Sequence, residues 1–240
     1  MTDCVFYVTT YNQDKYIMKC VNSILAQSNP NWKAVIFNDC STDNTQGLLS
    51  EYYDPRLAII NSPVEIGNAA KCMNKMFELE IEAHYECKID GDNELRPTWM
   101  EHMCTGENNF NYSGFQVDSI GTGRWREGSC YMKAGEIDYK VLKSGYPLGP
   151  SFCWNQSVRK RWKSNMPNGF IPETWGEDWV GAMLCVEAGA TLNPIDTDLF
   201  LYREYPENAS SRILGTEEQR KVILGEIMDM AKGRCPECWL

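Results

Sequence analysis

Short β-branched and aromatic runs alternate, over about the first ninety residues, with stretches whose apolar positions recur at helical spacing. Cys4 to Thr9 (Cys-Val-Phe-Tyr-Val-Thr) reads as a buried strand entering the polar loop Thr10-Tyr11-Asn12-Gln13-Asp14. From Lys15 to Gln27, Ile17, Met18, Val21, Ile24 and Leu25 fall on one stripe, which predicts a helix that Asn29-Pro30-Asn31 stops. Trp32 to Phe37, Leu57 to Ile60 and Tyr85 to Ile89 read as three further strands. Between them lie a short helix through Leu48 and Leu49 and a second helix that Gly67 and Asn68 open, carrying Ala69, Ala70, Met73, Met76 and Phe77. Such alternation requires right-handed parallel crossovers with helices on both sheet faces, so the expected class is α/β with a Rossmann-like, mostly parallel central sheet.

Beyond Arg96-Pro97, a proline suited to a first helical turn, a helix is expected to about Cys104. From Gly106 to Pro172 the chain turns rich in glycine, asparagine and aromatics, with antiparallel strands expected near Phe115 to Ile120 and Ser129 to Lys133. Regions of this kind usually recognise a variable substrate. Glu177-Asp178-Trp179 precedes an expected helix from Val180 to Ala188, which Gly189 ends. Thr191 to Pro194 and Leu199 to Tyr202 read as closing strands, and Thr216 to Lys232 as a terminal amphipathic helix.

Composition narrows the possibilities. At 240 residues the chain can bury about 70 to 75 per cent of its unfolded surface, so a single domain is expected. A net charge of -10 argues against non-specific binding to nucleic acid or an anionic membrane, both of which attract basic stripes. The eleven cysteines are mostly scattered singly through apolar stretches, as at Cys4, Cys20, Cys72, Cys87 and Cys185, where a thiol acts as a small hydrophobe; a reducing compartment follows. Cys235-Pro236-Glu237-Cys238 is spaced like half a zinc knuckle, but no second pair exists for a four-ligand site, and it reads as an exposed tail or the start of a further module. Met1-Thr2-Asp3 begins no signal peptide and no window nears eighteen apolar residues, so a soluble, cytoplasmic chain is expected.

The candidate chemistry centres on Cys87-Lys88-Ile89-Asp90-Gly91-Asp92-Asn93. Asp90 and Asp92 emerge where the fourth strand ends, and open α/β sheets bind ligands at the carboxyl ends of their strands. Two close acids repel one another unless a cation lies between them, and hard oxygens suit Mg²⁺ or Mn²⁺. An Asp-x-Asp tripeptide is also common in solvated turns, so the rest of the chain must decide. An EF-hand is excluded because Leu95 replaces the turn glycine and Pro97 starts a helix inside the loop. Neither a Gly-x-Gly-x-x-Gly after the first strand nor a P-loop is present.

Several motifs, in order, resemble the glycosyltransferase family 2 enzymes with the GT-A fold. Phe6-Tyr7-Val8-Thr9-Thr10-Tyr11-Asn12 is similar to the family's opening strand and Thr-Tyr-Asn loop, and Ser23-Ile24-Leu25-Ala26-Gln27-Ser28 to its Ser-Val-Leu-Ala-Gln-Thr helix. Asn38-Asp39-Cys40-Ser41-Thr42-Asp43 is similar to Asp-Asp-Gly-Ser-Thr-Asp, Asp90-Gly91-Asp92 to Asp-x-Asp, Glu177-Asp178-Trp179 to Glu-Asp-Trp, and Tyr202-Arg203 to a closing Tyr-Arg. The likeness spans roughly Val5 to Ser211 and is dense before residue 100. It implies one GT-A domain with a nucleotide-sugar-binding half over 1–104, an acceptor-binding half over 105–215, and a terminal helix and tail over 216–240.

The resemblance also implies roles. Thr9, Tyr11, Asp39, Lys71, Asp90 and Arg203 would bind the donor: Tyr11 as a ring against the base, Asp39 through the base or ribose, Lys71 and Arg203 near phosphate. Asp92 would bind Mn²⁺ or Mg²⁺, and Asp90 would contact the ribose or a metal-bound water. Asp178 would be the general base, or, in the plainer reading shared with Glu177, a carboxylate at a helix amino terminus. Glu177, Trp175 and Trp179 would face the acceptor; Trp125 and Trp154 lie in the same half, and Arg124 and Arg126 could meet an acidic acceptor. The implied partners are a nucleoside-diphosphate sugar, UDP-sugar favoured, and a carbohydrate or glycoconjugate acceptor, with additional domains or partner subunits compatible. Two departures stand out: Asn38 replaces the first acid of the Asp-Asp pair, and Tyr-Arg-x-His reads Tyr202-Arg203-Glu204-Tyr205. A sugar nucleotidyltransferase should carry a glycine-rich, basic triphosphate loop that Thr9 to Lys15 lacks. A degenerate sugar-nucleotide or carbohydrate-binding module would have little reason to keep Asp39, Asp90, Asp92 and Asp178 together.

Overall fold

A computed structural model describes residues 1–107, 109–119, 128–132, 149–165 and 176–206, together with Lys221, Val222, Gly225, Glu226 and Asp229. The first half is built as its periodicity predicts. Strand β1 (Thr2–Thr10) leads to helix α1 (Ile17–Leu25), β2 (Trp32–Asn38), α2 (Thr45–Leu49), β3 (Leu57–Asn61), α3 (Ala69–Phe77) and β4 (Ala83–Asp90). The four strands pair in parallel in the order β3-β2-β1-β4.

Alternation along β1 divides the core in two. Cys4, Phe6 and Val8 point to one face, where Ile17, Cys20, Val21 and Ile24 of α1 cover them at the i, i+3, i+4, i+7 spacing of an amphipathic helix. Val5 and Tyr7 point to the other, against Ala70, Met73, Met76 and Phe77 of α3. The side chain of Asn68 caps α3 by accepting from the Lys71 amide at 3.0 Å. Both faces are therefore sealed, as a doubly wound sheet requires.

The second half departs from expectation in several places. A two-residue strand β5 (Glu94–Leu95) pairs antiparallel with the closing strand, so α4 starts only at Trp99 and spans Trp99–Met103. Strands β6 (Asn109–Ser119) and β7 (Gly128–Met132) form the expected antiparallel pair. Two elements are additional to the expected ones: β8 (Phe152–Asn155), which joins β4 to β6 by antiparallel pairings, and α5 (Gln156–Asn165). Helix α6 spans Glu177–Glu187, so the two acids lie inside its first turn instead of preceding it. Gly189 follows it at φ 85°, a left-handed conformation that glycine adopts without Cβ strain.

The two closing strands are one, β9 (Thr191–Glu204), parallel to β6 and containing Pro194. Its register shifts between Ser113 and Gly114 of β6, where Ile195 and then Asp198 are the partners. The intervening Asp196 and Thr197 bulge, and that irregularity divides the apolar pattern into two apparent strands. Most of the terminal helix expected over Thr216 to Lys232 lies outside the described residues, although the five described within it are helical. Cys235, Cys238, Trp125, Trp175, Arg124 and Arg126 also lie outside them. No helix among the described residues is long and apolar enough to cross a membrane.

Candidate functional site

The site is assembled at the carboxyl ends of β1, β2 and β4. Beyond β4 the chain turns sharply: the Gly91 amide donates to the Thr9 carbonyl at 2.9 Å, and the Asn93 amide to the Asp90 carbonyl at 3.0 Å. A Cβ on Gly91 would stand 2.5 Å from Gln13 Oε1 and 2.8 Å from Thr10 Cβ, so only glycine lets the acidic turn lie this close to β1. The turn is also clamped from behind. Arg203 donates to the Asp92 carbonyl at 2.7 Å and to the Glu94 carboxylate, and its amide donates to Asn93 Oδ1 at 3.1 Å. The Tyr205 hydroxyl donates to Asp92 Oδ2 at 2.9 Å, and the Tyr16 ring packs 5.1 Å from that of Tyr205.

Asp92 is 5% exposed. Burial, reinforced by the neighbouring charge of Asp90, pushes its carboxyl up to about 7. Asp90 is more open and differently held: Thr9 Oγ1 donates to its Oδ1 at 3.1 Å, and Lys88 Nζ stands 2.8 Å from the same atom.

Lys88 ties this turn to α6. Along β4, Tyr85, Cys87 and Ile89 enter one core, so Glu86 and Lys88 project from the opposite face, beneath α3, α5 and α6. The Lys88 side chain is 5% exposed, and its ammonium lies 3.1 Å from Glu177 Oε1 and 3.1 Å from Asp178 Oδ1. The Glu177 contact is a hydrogen bond; the Asp178 contact is within ion-pair reach but out of line for one. Although burial works against the ammonium's charge, Asp178, Asp90 and Glu177 together hold its pKa well above the usual lysine value. Burial pushes the Asp178 carboxyl up to about 7; Lys88 pulls it down, while Glu177 and Asp90 push it further up. Helix α6 opens at Gly176 with φ 83°, a backbone turn that suits glycine, and its amino-terminal dipole favours both acids. Lys88, Glu177 and Asp178 line a small cavity whose remaining walls are Met73, Phe152, Trp154 and Gly181.

At the far end of the same edge, Asp39 is 6% exposed and accepts from the Ile66 amide at 2.7 Å and the Gly67 amide at 2.8 Å. It thereby fastens the segment leading into α3, and each oxygen keeps a lone pair for another donor. Asn38 is buried and bonded to Asn61 and Ser41, a structural position at which an ionised acid would be costly. The Tyr11 ring is 37% exposed, and its hydroxyl donates to Glu65 Oε2 at 3.1 Å. Lys71 sits in the first turn of α3 at intermediate exposure.

The fold thus gathers Thr9, Asp90, Asp92, Glu177 and Asp178 in one place, with Asp39, Tyr11 and Lys71 farther along the strand ends. Arg203 is 4% exposed and uses its guanidinium to brace the acidic turn. One expectation changes. Trp179 is 7% exposed and packs within the core on the α6 side, so it is a filler there and not an acceptor platform. Trp154 is likewise core, its indole N–H donating to Glu86 at 2.8 Å. Sequence reasoning missed Lys88 and the contact from Tyr205 to Asp92. The signal for Lys88 was available: a charge at an inward position of a strand covered on both faces must be paired.

Residues 6–161 match the family described as Glycosyl transferase family 2. A Bacillus subtilis (strain 168) protein named as a teichuronic acid biosynthesis glycosyltransferase is 31% identical over 118 residues, covering 45% of this chain and 44% of that protein. A chondroitin synthase of Pasteurella multocida (strain Pm70) is 33% identical over 103 residues, covering 42% of this chain and 10% of the enzyme. The matches therefore span less than half the length of these curated relatives. Among solved structures, that of S. aureus TarS 1–349 in complex with UDP-GlcNAc superposes with a TM-score of 0.67 at 16% identity, covering 98% of this chain and 72% of that one. The likeness identifies the fold as GT-A.

Proposed function

The chain belongs to glycosyl transferase family 2, and on that premise we propose that it moves a sugar from a nucleoside-diphosphate donor, UDP-sugar favoured, to a hydroxyl of a carbohydrate or glycoconjugate acceptor. The observation that carries this reading is a convergence across sequence: Lys88 Nζ lies within 2.8 Å of Asp90 and 3.1 Å of Asp178, so the acidic turn and the α6 carboxylate border one space.

Asp178 acts as general base. A carboxyl near 7 suits that role, because an appreciable fraction stays ionised at neutral pH and that carboxylate is more basic than an ordinary one. As the proton passes to Asp178, the acceptor oxygen bonds to the anomeric carbon opposite the leaving group. The bond from that carbon to the diphosphate oxygen breaks, and its electron pair leaves with the nucleoside diphosphate. The configuration inverts. Tyr11 and Asp39 bind the base end of the donor, with Lys71 near the phosphates.

Asp92 and Asp90 are the residues that would hold Mn²⁺ or Mg²⁺. Their hard oxygens and the surplus negative charge at Asp92 fit such a cation. Mg²⁺ and Mn²⁺ are commonly held by one or two carboxylates plus substrate phosphates. When bound, it supplies Lewis-acid stabilisation of the leaving diphosphate.

A thermal-shift panel of UDP, GDP, TDP and CDP, each with and without Mn²⁺, tests the reading. One nucleotide at a hundredfold excess over Kd should add about 2.7 kcal/mol of stability with Mn²⁺ present. Asp92→Asn should abolish the Mn²⁺-dependent part. Silence across the panel would sink the transferase reading.

A further inference from the structure

We propose that Lys88 is a positioning residue for sugar transfer: one ammonium fixed on β4 sets where the Asp178 base stands relative to the Asp90–Asp92 turn. The inference rests on the transferase reading above. Lys88 donates to Glu177 and stands within ion-pair reach of Asp90 and Asp178, and these three carboxylates within 3.1 Å come from two elements far apart in sequence, Asp90 from β4 and Glu177 with Asp178 from α6. Lys88 is held in the parallel ladder of β4 with β1, opposite Tyr7, just past the residues of β4 that pair with β8. The small cavity that Lys88 lines with Glu177 and Asp178 is otherwise walled by Met73, Phe152, Trp154 and Gly181, which offer no charge to take its place.

A purely structural ion pair would balance its charges, and this one does not. One ammonium against three carboxylates leaves a formal surplus of two negative charges beside the acidic turn. Without Lys88 these acids would repel one another, and the first turn of α6, which carries the base, would be free to draw away from β4. Misplacement of a reacting group by about 1 Å can cost about 100-fold in rate. The same ammonium favours ionised Asp178, whose charged neighbours are Lys88 and Asp90 from β4 and Glu177 from its own helix.

The test compares the wild-type chain with Lys88→Met in two assays. One is Mn²⁺-dependent UDP binding by thermal shift. The other is release of UDP from UDP-GlcNAc with water as acceptor, followed on both sides of neutral pH. Water supplies the attacking oxygen and its proton passes to Asp178, so the reaction balances without an identified acceptor. The variant should bind UDP within about threefold of wild type, lose about 100-fold in kcat, and move the acid limb of its pH profile up by about 1 to 3 units as Asp178 loses its cation. Unchanged kcat and an unmoved limb would overturn the proposal. So would loss of UDP binding in step with kcat, which would make Lys88 part of the donor cradle.

If Lys88→Met fails to fold, Lys88→Met with Glu177→Gln removes the cation and one acid together and keeps the local net charge. That pair should reproduce the kcat loss with UDP binding retained; wild-type kcat in it would equally overturn the positioning role. A wild-type chain that binds no nucleoside diphosphate and releases no UDP defeats both this inference and the transferase reading. A wild-type chain active beside an unaffected variant defeats the inference alone.

Discussion

Glu86 and Lys88 occupy the same face of β4, both are buried, and they differ in how their charge is answered. Glu86 is fully buried; Arg159 Nε reaches its two oxygens at 2.8 and 2.6 Å, Trp154 Nε1 donates at 2.8 Å and Gln156 Nε2 at 2.9 Å. The charges cancel and both oxygens are bonded. Lys88 faces three acids, and two nearby carboxyls, Asp92 and Asp178, are pushed up to about 7. A saturated, neutral cluster fixes β8 and α5 against the sheet. An over-acidic cluster at a strand's carboxyl end, with carboxyls titrating near neutrality, is a place prepared for protons and cations.

Three measurements bear on that contrast. The largest expected effect is on the Lys88 side: Asp178→Asn should keep donor binding and lose about 10²- to 10⁴-fold in transfer, read as UDP release. Retained activity would move the base elsewhere and dissolve the distinction between the two clusters. Next, Arg159→Met should leave Glu86 buried without its countercharge and cost about 3 to 5 kcal/mol in denaturant unfolding. The folded fraction should still bind UDP with unchanged affinity. A variant that stays as stable as wild type would show that the Glu86 cluster is not the structural one.

The smallest effect concerns pH. Asp92 and Asp178 have folded pKa values near 7, above the unfolded value of 3.8, so the native state binds more protons than the unfolded state between these limits. Their contribution to stability is therefore fully present below the unfolded pKa and is lost as pH rises through about 7. The melting temperature should fall between about pH 5 and about pH 8, by the equivalent of about 1 to 3 kcal/mol, and Asp92→Asn should flatten that fall. Mn²⁺ with UDP should offset it on the alkaline side. A melting temperature that rises over this range would contradict the buried, surplus charge assigned to the site.

Legibility followed chain distance. The four parallel strands and three helices of the first half were readable because each writes a local period, and the turn at Asp90-Gly91-Asp92 follows directly from where β4 ends. Strand β8 was not readable: Phe-Cys-Trp-Asn is too short to show a period, and only pairing to β4 and β6 makes it a strand. Strand β9 was split in two by a bulge whose existence depends on the spacing of β6. Among candidate site residues, Asp90, Asp92 and Asp178 could be named from motif order. The bracing role of Arg203 and the burial of Trp179 depend on neighbours that no local window contains.

By itself, the sequence determined the α/β class, the edge of the sheet where acids collect, and which carboxylates are candidates. Periodicity and turn chemistry act over a few residues, and these features are local. The tertiary structure alone decided that Lys88 joins Asp90 to Asp178, that Tyr205 bonds Asp92, and that Arg203 holds the acidic turn. Those contacts span from about ninety to more than a hundred positions of sequence. They form because β4 is covered on both faces, and a buried charge must find its partner in space, wherever the chain happens to carry it.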